Sequence, residues 1–198
     1  MGVKRSPVIP YRFGEAYYVT QFIQPYNPGV LEAYRRCWNQ DKDGLVENVA
    51  EYVKLNLRYP MDRDGQPLCQ GEFKRFEFQR GMWLWRRSAD YAWSLPGETL
   101  AQGWGICIDT ANLAVSILRR GRVTSYVCLG AVYDSASEEL LGYHAWARTW
   151  YRGGWWLIET TIHDPELGNM TTIGEAYKGG LSVKYQEEAH YNETGYWE

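Results

Sequence analysis

Val46, Val49, Ala50 and Val53 recur at three- and four-residue intervals, which puts them on one face of a helix. Asp43 is placed to cap that helix, and Tyr59-Pro60 ends it. A shorter helix comes before it, with Asn27 as N-cap and Pro28 at the first helical position, running to about Trp38. A third runs from Cys107 to about Arg120. There Ala111, Val115 and Leu118 form a stripe with Ile108 beside it, and Gly121 follows as C-cap.

Elsewhere the period changes to two. Phe76 and Phe78, then Trp83 and Trp85, alternate on either side of Gly81, which predicts an irregular hairpin. Three strands are predicted over 123–133, 143–151 and 155–162, with Gly153-Gly154 as a turn signal between the last two. Residues 1–27 lack periodicity and read as an arm packed on the body, and the Pro- and Gly-rich residues 60–72 read as a loop. After Asp164-Pro165 the chain turns polar and Gly-rich. No repeat or linker divides it, so the pattern predicts one α+β domain over 1–198.

Composition adds exclusions. The 198 residues are 45% hydrophobic and 23% charged with a net charge of -3, a balance that leaves no footprint for nucleic acid or an anionic membrane. The pairs Arg86-Arg87 and Arg119-Arg120 read as solvated surface. No apolar run resembles a signal peptide or a membrane span. Cys37, Cys69, Cys107 and Cys128 fit no zinc pattern and no dense disulfide framework, which points to the cytoplasm. Asn39-x-Asp41-x-Asp43-Gly44 begins like a calcium loop, but position twelve is Ala50, so a turn and helix cap is the better reading and no metal is expected. Ten Trp and sixteen Tyr must supply much of the core; Trp83, Trp85 and Trp93 could equally line a groove.

The chemistry gathers around GWGICIDTANL, residues 103–113. Gly103 and Gly105 let the chain turn tightly into the helix, placing Cys107 near its N-terminus, where the partial positive charge favours an anion. A small buried thiol would look the same from this segment alone. The histidines separate the two readings. Of His144, His163 and His190, only His144 opens a strand and has a partner in the next one. That partner is Glu159, an acid flanked by Trp155, Trp156, Leu157 and Ile158. If the strands pair across a four-residue YRGG loop, Trp150 faces Trp155, His144 faces Thr161, and Glu159 is a diagonal neighbour on the same face. A Gly153-Gly154 turn would move Glu159 about 13 Å out of line.

The ordered set GWGICIDTANLAVSILRR, YHAW and WWLIET resembles the transglutaminase-like, papain-like cysteine enzyme superfamily, its bacterial members in particular. Cys107 and Asp109 match its Gly-x-Cys-x-Asp helix start, His144 and Trp146 its His-x-Trp strand start, and Trp156 and Glu159 its Trp-then-acid strand, where the family usually has Asp. The resemblance covers about residues 95–165. It implies a nucleophile helix packed on an antiparallel sheet, with a catalytic core over 95–165, an N-terminal arm, helices and hairpin over 1–94, and a C-terminal extension over 166–198. It implies Cys107 as nucleophile, His144 as base and Glu159 as the orienting acid, with the Cys107 N–H and Gln102, or else Trp104 or Trp85, as oxyanion donors. It implies no cofactor, and a protein or peptide partner. The activity implied is thiol-dependent hydrolysis of peptide or amide bonds through a thioester. The alternatives are glutamine acyl transfer, or a non-catalytic peptide- or glycan-binding module.

Overall fold

The computed structural model describes residues 3–10, 16–60, 74–79, 82–87, 93–161, 170–178 and 181–198. Its centre is a helix, α4 (Cys107–Arg120), preceded by α1 (Pro28–Cys37), α2 (Lys42–Asn56) and the short α3 (Pro96–Gln102). Every residue of α4 from Ile108 to Leu118 is buried, so it is a core helix rather than one with a single apolar stripe. Its buried polar side chains make hydrogen bonds, although Asn112 Nδ2 has no partner among the described residues. The Ser116 hydroxyl donates to Asn112 O at 2.7 Å and accepts from the Gln24 N–H at 2.9 Å, and Asn112 Oδ1 accepts from the Tyr191 hydroxyl at 2.6 Å.

Asn27 caps α1 as its sequence requires, accepting from the Gly29 N–H with Pro28 at the first position. Helix α2 starts earlier than expected. Asp41, not Asp43, is its N-cap and accepts from the Gly44 N–H at 2.7 Å, because Gln40 takes a left-handed φ of 61° that turns the chain into the helix there. The calcium-like spacing is thus the spacing of a helix cap. Gly121 ends α4, but the left-handed residue is Arg122. Gly121 is needed instead for closeness, since a Cβ there would overlap Leu45. Arg119 and Arg120 are not free surface: Arg119 pairs with Glu193 at 2.6 Å, and the Arg120 guanidinium lies over Tyr26 and Tyr34.

The main sheet has seven strands: β1 (Val3–Lys4), β6 (Ser125–Asp134), β7 (Leu140–Tyr151), β8 (Gly154–Ile158), β9 (Met170–Thr172), β10 (Val183–Asn192) and β11 (Gly195–Trp197). Their order is β1-β11-β10-β6-β7-β8-β9, antiparallel throughout. Alternation along the strands sends Val127, Ala145, Ala147, Ile158 and Tyr191 into the core shared with α4. It sends Cys128, Val132, Trp146 and Leu157 to the opposite face, under α5 (Ile173–Lys178), where Tyr185 also lies because β10 is bulged between Glu187 and Ala189, upstream of Tyr191. Two small hairpins stand apart, β2 (Val8–Pro10) with β3 (Ala16–Tyr18) and β4 (Lys74–Gln79) with β5 (Met82–Arg87). The second is the predicted aromatic hairpin, with Phe76 opposite Trp85 and Phe78 opposite Trp83; the groove expected from its tryptophan side chains lies outside the described residues. Trp93 is partly buried and packs against the core, edge-on to Phe22 and stacked on Tyr191.

The polar C-terminal stretch holds a helix and three strands that hydropathy did not announce, and β10 sits well inside the sheet. His190, read as part of a polar tail, is buried on β10, with Nδ1 2.8 Å from Glu187 and its ring stacked on Trp197. Among the described residues no helix is long and apolar enough to cross a membrane.

Gly130 on β6 fits where nothing larger would. A Cβ there would overlap the Gln186 carbonyl oxygen of β10 and press on Trp146 Cη2 at 3.0 Å. Gly130→Ala is expected to lower unfolding stability by about 3 kcal/mol or more, since backbone stands in the way. Urea unfolding checks this; a loss under about 1 kcal/mol would mean that β6 and β10 part easily.

Candidate active site

The segment leading into α4 is held by one buried carboxylate. Asp109, in the first turn, accepts from the Ile106 N–H at 3.1 Å through Oδ2 and from the Ser94 N–H at 2.7 Å through Oδ1. Two amides on separate stretches of chain are thereby tied to one side chain at the positive end of the helix. The two glycines before it differ in purpose. Gly103 has a φ of 71° and closes α3. Gly105 has to be small, since a Cβ there would sit 2.8 Å from Asp109 Cβ. Cys107 is the first residue of α4 and partly exposed, whereas Cys37 and Cys128 are buried and their thiols are pushed up by burial, Cys37 to about 12.

His144 lies on β7 opposite Gly130, and Glu159 directly follows β8. The expected register holds: Trp150 pairs with Trp155, and the ladder continues to Ala147 with Ile158. The turn is tighter than the four-residue loop expected. Tyr151 pairs with Gly154, leaving Arg152 at φ 46° and Gly153 at φ 78°, two left-handed residues that match the twist of a hairpin. The register survives because the turn falls on Arg152-Gly153 and not on Gly153-Gly154. Past Ile158 the chain leaves the ladder, and Glu159 reaches diagonally to the His144 ring.

His144 Nε2 is 3.0 Å from Glu159 Oε2 and 3.1 Å from Oε1. The Cys107 side chain also acts on this ring, as one of the groups that raise its pKa. With Nε2 turned to Glu159, Nδ1 is the nitrogen left for the thiol. Glu159 is buried, and donors surround its carboxylate: the Thr161 N–H at 2.9 Å and hydroxyl at 3.3 Å on Oε1, and the Tyr185 hydroxyl at 2.8 Å on Oε2. A hydrogen bond of 2.8 Å between the hydroxyls of Thr110 and Thr160 ties α4 to the chain beside Glu159.

Burial works against charge on both partners, and in both the charge wins. Burial would lower the His144 pKa, but the Glu159 charge, the side-chain contribution of Cys107 and the hydrogen bond that the ring donates to Glu159 raise it to about 10. Burial would raise that of Glu159, but His144, Thr161 and Tyr185 hold it down to about 2.

Gln102 lies at the end of α3, and its side-chain amide donates to Trp104 O at 2.7 Å and to Ser94 Oγ at 3.3 Å. The expected oxyanion donor is instead a brace for the loop before Cys107, because backbone and hydroxyl acceptors lie within reach of its amide. The Trp85 side chain and His163 lie outside the described residues. The donors from Thr161 and Tyr185 were not foreseen. The alternation of Val183, Tyr185 and Tyr191 was a strand signal, obscured by Glu187-Glu188.

Comparison with known proteins shows the family. A family model described as a transglutaminase-like domain matches residues 35–178, and the chain belongs to that family. UPF0252 protein MJ1282 of Methanocaldococcus jannaschii is 26% identical over 106 residues, which span 54% of this chain and 26% of that protein. A solved chain described as a candidate cysteine protease from Cytophaga hutchinsonii is 12% identical at a TM-score of 0.45, over 88% of this chain and 53% of that one.

The pair has a defined pH signature. His144, raised from an ordinary 6.5, contributes stability fully below pH 6.5 and loses it as pH rises toward 10. Glu159, lowered from 4.5, contributes fully above pH 4.5 and loses it as pH falls toward 2. The stability difference between wild type and Glu159→Gln is therefore expected to be largest between pH 4.5 and 6.5. In that variant burial acts on His144 without its counter-charge. NMR titration of the His144 ring should show its pKa falling by several units; an unchanged value would mean that Glu159 does not hold the proton there.

Proposed function

We propose that the chain is a thiol-dependent hydrolase of peptide or amide bonds, working through a Cys107–His144–Glu159 triad. The observation that carries this reading is the His144 ring, gripped by a buried carboxylate through Nε2 and raised in pKa by the side chain of Cys107, which starts a buried helix. Free Cys37, Cys107 and Cys128 suit a reducing compartment such as the cytoplasm.

In this reading His144 already holds the proton of the Cys107–His144 pair, and the sulfur attacks the substrate carbonyl carbon. The carbonyl electron pair moves to oxygen, and the backbone N–H of Cys107 lies where it can stabilise the oxyanion. Collapse breaks the C–N bond; the amine leaves with the proton held on His144, and a thioester remains on Cys107. His144, now neutral, takes a proton from water as the water attacks the thioester. The second collapse releases the carboxylic acid and restores the Cys107–His144 pair with the proton on the ring. Glu159 keeps the ring in one orientation and balances its charge in both steps.

Cys107→Ala is expected to lower hydrolysis of a fluorogenic peptide pool at least about 1,000-fold, and Glu159→Gln about 100- to 10,000-fold. Iodoacetamide should label Cys107 far faster than free cysteine at pH 6–7. Labelling at the rate of free cysteine would remove the activated thiol and the reading with it. Transfer of a labelled amine without peptide cleavage would replace hydrolysis by acyl transfer.

A further inference from the structure

We propose that Tyr185 is a fourth, positioning residue of this site, acting through Glu159; the inference rests on the triad reading above. Tyr185 lies on β10, two strands from the one that carries His144 and outside the residues matched by the family model. Its hydroxyl crosses that gap to donate to Glu159 Oε2 at 2.8 Å.

The geometry that permits this is particular. Tyr185 is fully buried, and its ring meets Trp146 edge-on at 5.1 Å. Trp146 lies stacked beside His144, and Tyr185 stands tilted to the same imidazole, each at 6.4 Å between ring centroids. Trp146 in turn lies close over Gly130, the β6 residue opposite His144. The two aromatic rings therefore wall the imidazole, and the hydroxyl of one of them fixes the carboxylate that holds it.

The length of the acid explains why such a residue is useful. Glu has one more rotatable bond than Asp, and a carboxylate that can swing cannot hold an imidazole in one orientation. Thr161 fastens Oε1 and Tyr185 fastens Oε2, from opposite sides. The His144 N–H then meets both oxygens at nearly equal distance. A donor on Oε2 also keeps the carboxylate ionised, so it continues to stabilise the imidazolium as the pH falls.

The test is the pH profile of Cys107 alkylation by iodoacetamide in the full chain, compared among wild type, Tyr185→Phe, Glu159→Gln, and protein with 3-fluorotyrosine placed at 185. Phe keeps the ring packing and loses only the hydroxyl. Its expected effect is an alkylation rate about tenfold lower at pH 7, the scale of one hydrogen bond to a charged group, and an acid limb moved to higher pH. Near-UV circular dichroism should stay native, and 3-fluorotyrosine, which restores a hydroxyl of the same shape, should restore the rate. If the Phe profile superimposes on wild type while that of Glu159→Gln does not, Tyr185 is packing alone and the inference is overturned. If Phe misfolds, failure of the fluorotyrosine protein to keep the wild-type profile overturns it equally. A wild-type Cys107 that alkylates like free cysteine is a separate outcome, which overturns the hydrolase reading first and this inference with it.

Discussion

The site depends on one buried negative charge. Glu159 lies where burial alone would neutralise it, and it stays ionised because His144, Thr161 and Tyr185 all donate to it. The cost of burying that charge is what fixes the arrangement. A carboxylate surrounded by Leu157, Ile158 and tryptophans is stable only if its donors are in place, so Glu159 orients its neighbours as firmly as they orient it. The protonated His144 is the main counter-charge, and the buried pair makes a proton available beside the Cys107 sulfur.

Around that charge the fold brings together three separate stretches of chain. The start of α4 supplies Cys107, and Asp109 sets its position by tying the Ile106 and Ser94 amides to one carboxylate. The β7–β8 hairpin supplies His144 and Glu159, and its two-residue turn at Arg152-Gly153 sets their register. Strand β10 supplies Tyr185 from the far side of β6. The hydrogen bond between Thr110 and Thr160 joins the first stretch to the second. Because α4 is buried on every side, movement of its first turn would disturb both the other helices and the sheet, which gives the thiol a rigid base.

Much of this was legible in the chain. The cap residues of α1, the helix behind Cys107, the core strands and the Trp150–Trp155 register all follow from local chemistry or period. Cys107, His144 and Glu159 stood out because each is unusual where it lies: a thiol at a glycine-led helix start, a histidine opening a strand, an acid among large apolar residues. Asp41 displaced Asp43 as the cap of α2 through a left-handed Gln40, which no hydropathy pattern reports. The amide of Gln102 is engaged with Trp104 O and Ser94 Oγ, acceptors that no pattern along the chain announces.

The sequence by itself determined the order of the candidate side chains, Cys then His then acid, and the helix and strands that carry them, because caps, turns and periodicity act over a few residues. Only the tertiary structure decided which groups surround the acid. Residues 183–192 looked like polar chain because Glu187 and Glu188 interrupt an alternating strand, yet Glu187 pairs with Arg148 of β7 and with His190 three residues along its own strand. That pairing lets β10 lie beside β6, and β10 brings the Tyr185 hydroxyl to Glu159. A contact across 26 residues of sequence leaves no local signal, since its energy exists only once the strands between are in place.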